Sequence, residues 1–537
     1  MSNNSQKLKQ RAELISILNT YRNIAKIDNL KLKDDINHIA TIDDKNFVFK
    51  TLINEISSSK SIYSDICSII IFEAIEKDLF EEFSIKLLQD KKTTDEKKLL
   101  IMSLMKQKGL DFNYRDVVDY VDNPEELAHS GVKDFLHNAL IDPEVQLDLL
   151  DFYINIPTDE KNYFLENLET EFDGDNLANA FSLLIQLNLE NNDEFTCILN
   201  VLLNSDSPYA LIGLNHVLEN KKLDAKTKAK IKRTIKKINE IHPDFSNDFL
   251  VKNSTIYKTY ISFVDGKSEF SLIFSRKTKD NLINLLLLTI NLSAGIKSCM
   301  GFSSIEKENF QSIIKRLFSD SIPININTVA FKSLYQHYLN KTKNNNFDLP
   351  YELIVWKNLL NDVRTINFDI SEFINSKLNI TELTKSKIKK FINSKVVETW
   401  FYSYGENEYI DKIIDRIENE HCLDLDKINE WTNTSIQENF ISNIEYIKEL
   451  QSKLLLQAYI SSLAKLEVTS ACAYSMCFKT QYLKILILSI IDKSIYHAFA
   501  FKLNQLDENN IFRKKPLTSF SEDELEILLA QFEEKWK

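Results

Sequence analysis

The chain has 537 residues, 44% of them hydrophobic and 27% charged, with a formal net charge of −12. That length exceeds what one hydrophobic core supports, and the negative balance excludes bulk attraction to nucleic acid or anionic membrane while leaving a local basic patch open. Glycine and proline number only 8 each, against usual shares of about 7% and about 5%, which excludes turn-dense sheet folds and favours helices on short polar joints.

In chain order, the first hundred residues read as successive helices over about 5–26, 43–57, 61–77, 78–90 and 93–107. The start, MSNNSQKLKQ, lacks the apolar core of a signal peptide. In SIYSDICSIIIFEAIEK, Ile62, Ile66, Ile69, Ile70 and Phe72 crowd one broad side, as an inner helix requires.

A repeat follows. DPEVQLDLLDFYI begins at Asp142, DGDNLANAFSLLI at Asp173 and DSPYALIGLNHVL at Asp206. Five residues past each Asp stand Leu147, Ala178 and Leu211, and eight past stand Leu150, Phe181 and Leu214. Seven past, Leu149 gives way to Ala180 and Gly213, small enough for close helix approach. A polar cap, an apolar helix, a turn and a second helix describe a helical hairpin unit. Over about 142–240 the chain resembles HEAT-type α-solenoid repeats, whose loops carry such an Asp before the first helix. Asp173-Gly174-Asp175 is not a calcium loop, because the twelfth position is Leu184 rather than an acid.

The array ends on KKLDAKTKAKIKRTIKKI, 221–238, where nine basic residues meet one acid. Ile231, Ile235 and Ile238 form one packing stripe, so Lys226, Lys230, Lys232, Arg233, Lys236 and Lys237 are expected in solvent. This face is a candidate dock for an acidic partner or for phosphates, although no aromatic is interleaved to stack bases.

Pro243 closes the helices, and IYKTYISFVDGKSEFSLIFSR, 256–276, alternates as a β-hairpin about Asp265-Gly266. A two-residue turn there pairs Ile261 with Phe270, Thr259 with Leu272 and Tyr257 with Phe274. The apolar run 280–293 is expected to be a buried helix. Gly295 and Gly301 bracket a loop, GIKSCMG, and Ser303 with Glu306 reads as a capping box for a helix over 304–318. This order also looks like a module that follows HEAT arrays in bacterial proteins.

From 320 onward helices are expected over 328–343, 350–361, 369–377, 382–393, 395–403, 407–420, 424–433, 436–466, 468–477, 480–505 and 521–536, the last opened by a Ser521–Glu524 box. The segment 509–520 reads as a linker. The most apolar run, 482–501, holds Lys484, Asp492, Lys493 and His497, which suits a buried helix and no membrane span. Before Gly405, the run Trp400, Phe401, Tyr402 and Tyr404 cannot all face one core, so Trp400 and Tyr404 are candidate binding residues.

Chemical signatures are absent from the sequence. The eight histidines form no HExxH, the six cysteines no CxxC, and neither a nucleophile elbow nor a phosphate-binding loop occurs. Scattered thiols suit a reducing compartment, hence a cytoplasmic protein. No cofactor and no metal is expected. The fold is expected to be mostly α: an α-solenoid of HEAT-like hairpins over 1–245, a β-hairpin plus helices module over 246–320 and an all-α region over 321–537. The function expected is a non-enzymatic protein-interaction scaffold, with another protein as partner. A nucleic-acid-binding protein using 221–237 is the alternative, and an enzyme with its site near the 295–301 loop is the third reading.

Overall fold

The computed structural model describes residues 3–22, 29–58, 62–110, 120–187, 192–220, 223–246, 248–318, 322–365, 382–506 and 518–536. They are mostly helical, with a small five-stranded antiparallel sheet. The chain divides into two compact units, 1–135 and 136–537. The boundaries expected near 245 and 320 both fall inside the second unit.

In the first unit, α1 (Asn3–Tyr21), α2 (Asn29–Ala40), α3 (Lys45–Ser58), α4 (Ile62–Ala74), α5 (Lys77–Leu88) and α6 (Asp95–Gln107) surround one core, and most of α7 (Pro124–Asn138) follows in the same unit. Leu14, Phe49, Leu52, Ile66, Ile70, Phe80 and Ile101 are buried in it. Ile69 turns 41% exposed, so the apolar side of α4 is narrower than its isoleucines suggest. With few glycines to close helix ends, lysines serve. Lys108 donates to the carbonyls of Phe72 and Ile75, each at 2.6 Å, and Lys45 caps Ala40 O.

The second unit opens with three helical hairpins: α8 (Pro143–Asn155) with α9 (Lys161–Glu171), α10 (Gly174–Leu184) with α11 (Asn192–Asn204), and α12 (Ala210–Asn220) with α13 (Ala225–Ile241). Each first helix packs on the first helix of the next pair, and each second helix on the next second. Asp142 caps α8 by accepting from Glu144 N at 2.9 Å. Gly213 marks the closest approach. A Cβ there would lie 2.8 Å from Leu202, 2.9 Å from Ile185 and 3.0 Å from the backbone of Ser182.

The sheet is a four-strand meander, β1 (Ser254–Ile261), β2 (Glu269–Thr278), β3 (Ile283–Asn291) and β4 (Gly295–Ile305), with β5 (Ile324–Asn325) added beside β1. The expected helix over 280–293 is therefore a central strand. Both faces of the sheet are covered, so β3 has no polar side to alternate with and reads as an unbroken apolar run. On one face Phe270, Leu272, Phe274, Leu286 and Leu288 pack with Phe331, Leu334 and Tyr338 of α15 (Thr328–Asn344). On the other, Ile273, Ile283, Leu285 and Leu287 pack under Phe310 and Ile314 of α14 (Lys307–Leu317).

The hairpin register differs from the expected one by two residues. Ile261 pairs with Leu272 and Thr259 with Phe274, with a bulge between Ile256 and Lys258. A two-residue slip keeps Thr259 and Ile261 on their expected face, so the pattern alone does not resolve it, while the bulge turns Tyr257 to the other face, against Phe310. The turn decides: Asp265 N donates to Glu269 O at 2.8 Å, and Ser268 rather than Gly266 takes positive φ, at 61°. Gly266 is required for another reason, since a Cβ there would sit 2.0 Å from Thr399 O.

The 295–301 segment is strand, not loop, and Ser303 is no helix cap. Ser303 lies in β4 with its hydroxyl donating to Glu144 Oε1 at 2.8 Å, while Glu306 precedes α14 without a side-chain cap bond. Gly301 exists to admit the Trp356 ring, which a Cβ would meet at 2.0 Å. The helix expected over 350–361 reduces to a short helix, Leu353–Trp356, and a 3₁₀ turn, Lys357–Leu360. Buried Arg276 of β2 joins it, donating to Leu359 O at 2.8 Å and pairing with Asp362.

The remaining helices are α16 (Lys385–Ile392), α17 (Glu408–Asn419), α18 (Leu425–Ser435), α19 (Ile444–Leu463), α20 (Glu467–Phe478), α21 (Thr480–Leu506) and α22 (Glu522–Trp536). A π-helical turn over Ile436–Ile441 divides the expected 436–466 helix. The expected 369–377 helix and most of the 509–520 linker lie outside the described residues, and 395–403 is not helical. The Ser521–Glu524 box forms as expected, with Ser521 N donating to Glu524 Oε2 at 2.8 Å. In α21, Asp492 is buried and pairs with Lys535 at 2.7 Å. Among the described residues no helix is long and apolar enough to cross a membrane.

Candidate interaction surface and a buried lysine pocket

Helix α13 begins where Asp224 accepts from the amides of Lys226 and Thr227, at 2.8 and 2.9 Å. The Thr227 hydroxyl above all, with those two amides, holds the Asp224 carboxyl below its ordinary pKa. Ile231 and Ile238 are buried and Ile235 is partly covered, as the stripe requires. Lys226, Lys228, Lys230, Lys232, Arg233, Lys236 and Lys237 are all exposed; Lys221 and Lys222 lie outside the described residues. At 3.6 residues per turn, Lys226, Lys230, Arg233 and Lys237 form one row and Lys228, Lys232 and Lys236 a second. Lys237 pairs with Asp206 at 2.6 Å and Lys236 with Glu240 at 3.8 Å. Exposed pairs of this kind contribute at most about 1 kcal/mol, so an incoming anion displaces them readily.

The aromatic candidates separate. Trp400 is 1% exposed, and its Nε1–H donates to Val264 O at 2.8 Å. It is a core residue and offers no binding surface. Its neighbours leave helical geometry, and that freedom lets it turn inward without a shared helix face. Tyr404 is exposed, with its hydroxyl donating to Asp415 Oδ1 at 2.7 Å.

The 295–301 segment makes no anion cradle. Its residues belong to β4, paired with β3, Ile296 N donates to Thr342 Oγ1 at 2.8 Å, and Lys297 is engaged with Glu269 at 2.6 Å. Among the described residues, no group of three or more His, Cys, Asp or Glu side chains is placed to hold a metal.

Pattern reading misses a second site. Lys453 of α19 is 5% exposed, and its amine donates to Gly266 O at 3.0 Å and lies 4.2 Å from the centre of the Trp400 ring. Beside it is a cavity of about 20 Å³ bordered by Tyr402, Tyr446, Glu449 and Ile490 among others, room for about one water. Burial pushes the amine down to about 7 against the pull of Asp265 and Glu449, and burial pushes the Asp265 carboxyl up. The available signal was a polar series, Lys453, Gln457 and Ser461, on the side of α19 that also carries Leu450 and Leu454. Lys357 and Lys493 are likewise pushed down to about 8 by burial. Lys493 donates to the carbonyls of Ile392 and Val397, at 2.9 and 2.8 Å, and Lys357 to Gln186 Oε1 at 2.6 Å. Lys493 thus satisfies Ile392 O and adds a second donor to Val397 O, which also accepts from Trp400 N at 3.2 Å.

A larger groove of about 800 Å³ runs between Ser386, Lys389, Lys390 and Asn393 on one wall and Glu533 and Trp536 on the other. Asn393 donates across it to Trp536 O at 2.8 Å. No family model, no curated protein and no solved structure matches the chain.

Proposed function

We propose that this chain is a non-enzymatic interaction scaffold of the cytoplasm, docking an acidic protein partner on α13. The observation that carries the reading is the helix itself: seven exposed cations against one acid, Glu240, within Ala225–Ile241. The hairpin order, with first helices on first and second on second, supports a HEAT-like solenoid. Three cations elsewhere, Lys453, Lys493 and Arg276, are committed to internal ties.

Affinity capture from the source cells with wild type and with Lys230→Glu/Lys232→Glu/Arg233→Glu tests it. A protein partner retained by wild type and lost by the triple variant supports the scaffold; equal retention by both refutes α13 as the dock. The nucleic-acid reading draws on the same cations. It predicts binding to a 20-base-pair duplex that weakens steeply with salt. Against it stand the net charge of −12 and the lack of an aromatic within Ala225–Ile241.

A further inference from the structure

The tip of the β1–β2 hairpin is anchored by three side chains from the C-terminal half. Val264 N donates to Gln457 Oε1 at 3.0 Å, Val264 O accepts from Trp400 Nε1 at 2.8 Å, and Gly266 O accepts from the Lys453 amine at 3.0 Å. Val264 is 1% exposed, so these contacts take the place of water for its backbone. Two of the three anchors are neutral at every physiological pH. The third titrates.

We propose that the hairpin tip and α19 form a proton-operated clasp, closed most firmly when Lys453 is uncharged and loosened when its amine takes up a proton. The groups around the amine come from every element packed there. Asp265 lies on the tip, Glu449 one turn earlier on α19, and the Trp400 ring and the bonded Tyr402 and Tyr446 hydroxyls complete the wall. From α21 comes only the hydrocarbon of Ile490. Lys267, next along the tip, is exposed and paired with Glu406 at 3.0 Å.

The two carboxylates and the indole face favour the ammonium, burial disfavours it, and burial prevails, leaving the amine at about 7. Once the clasp opens, Lys453 is solvated and returns to an ordinary value of about 10.4. Between those values the open form holds more protons than the closed form. Falling pH therefore favours opening, by up to about tenfold in the open-to-closed ratio for each pH unit. Asp265 acts in the opposite sense, and only in acid. Its carboxyl is raised by burial, so protonation there favours the closed form as pH falls through its raised value. Loosening is thus greatest between the two ranges. The 20 Å³ cavity gives the newly charged amine space for a first water.

Hydrogen exchange of the 262–268 segment, corrected for intrinsic rates and followed from pH 9.5 to 7, reads the clasp directly. Protection is expected to fall by up to about a hundredfold between pH 9.5 and 7.5 in the wild type. Lys453→Met is expected to abolish this pH dependence, while Gln457→Ala lowers protection throughout and leaves the slope. Trace acetylation with acetic anhydride, resolved by mass spectrometry, titrates Lys453 in the unmodified chain and needs no variant. A midpoint near 7 supports the clasp. A midpoint near 10, wild-type protection independent of pH, or an unchanged slope in Lys453→Met overturns it.

Discussion

Replacing Gly301 by alanine places a methyl carbon 2.0 Å from Cδ2 and 2.1 Å from Cε2 of Trp356. Carbon atoms in contact sit about 3.5–4.0 Å apart, so the indole must retreat by roughly 1.5 Å. Trp356 is fully buried beside the sheet core, so its retreat must displace neighbouring side chains. Overpacking of this kind costs about 1–3 kcal/mol, of which the better strand propensity of alanine returns about 0.5–1 kcal/mol. An overlap this deep takes the upper part of that range, so Gly301→Ala is expected to destabilise by about 1–2.5 kcal/mol, and Trp356→Ala by about 3–5 kcal/mol through the void it leaves. In the double variant the new methyl enters that void. The two costs should then fall short of their sum by at least about 1 kcal/mol. Urea unfolding followed by tryptophan emission is the assay, because all four tryptophans, 356, 400, 431 and 536, lie in the 136–537 unit and report on it alone. A Gly301→Ala transition within about 0.5 kcal/mol of wild type, or strictly additive costs, would refute the close-approach argument.

Further outcomes concern other parts of the chain. Glu418 accepts from the Lys502 amine at 2.6 Å, the Thr518 hydroxyl at 2.8 Å and both Ser519 N and Oγ at 3.0 Å. Glu418→Gln is expected to destabilise the attachment of 518–536 by about 1.5–3 kcal/mol, seen as faster proteolysis there. Burial raises the Glu418 carboxyl, but those donors outweigh it and hold the pKa below its usual value. Its contribution is thus complete above the ordinary carboxylate pKa and disappears as pH falls through the lowered one, which an acid titration of the same proteolysis will show. Burial also raises the thiols of Cys67, to about 12, and of Cys477, to about 11. Maleimide at pH 7.5 should label half-buried Cys197 before either. The triple charge reversal on α13 should leave stability within about 0.5 kcal/mol of wild type, because its three side chains are exposed; a larger loss would show them to be structural.

Helix pairs, the hairpin and the final capping box were legible because their signals are local. Asp142 before its apolar helix, a two-residue alternation and the Ser521–Glu524 spacing each act within one turn or one strand pair, whereas Asp173 makes no side-chain cap bond. β3 was not legible for a physical reason: INLLLLTIN is buried on both faces, which removes the alternation that distinguishes a strand from an inner helix. With that run taken as a helix, Gly295 and Gly301 look like loop signals, when each is a close-contact point, to Thr342 and to Trp356. A helix across 395–403 would force part of the aromatic run outward, but the chain is not helical there and Trp400 turns into the core. Of the interaction surface, α13 was readable down to its buried isoleucines. The Lys453 pocket was not, since its partners Gly266 and Trp400 lie 187 and 53 positions away in the sequence (453−266 and 453−400).

The lysine closures of helix ends and strand ends bear on how the chain assembles. Lys108 closes α4 from beyond α6, Lys493 closes α16 from the middle of α21, and Lys341 reaches back to Leu292 O after β3. Where glycine would terminate a helix from the adjoining residue, here the terminator arrives from tens of residues away. Short excised peptides spanning α4 or α16 should fray at their carboxyl ends. Such boundaries become definite only with long-range structure, which links local order to cooperative folding within each unit.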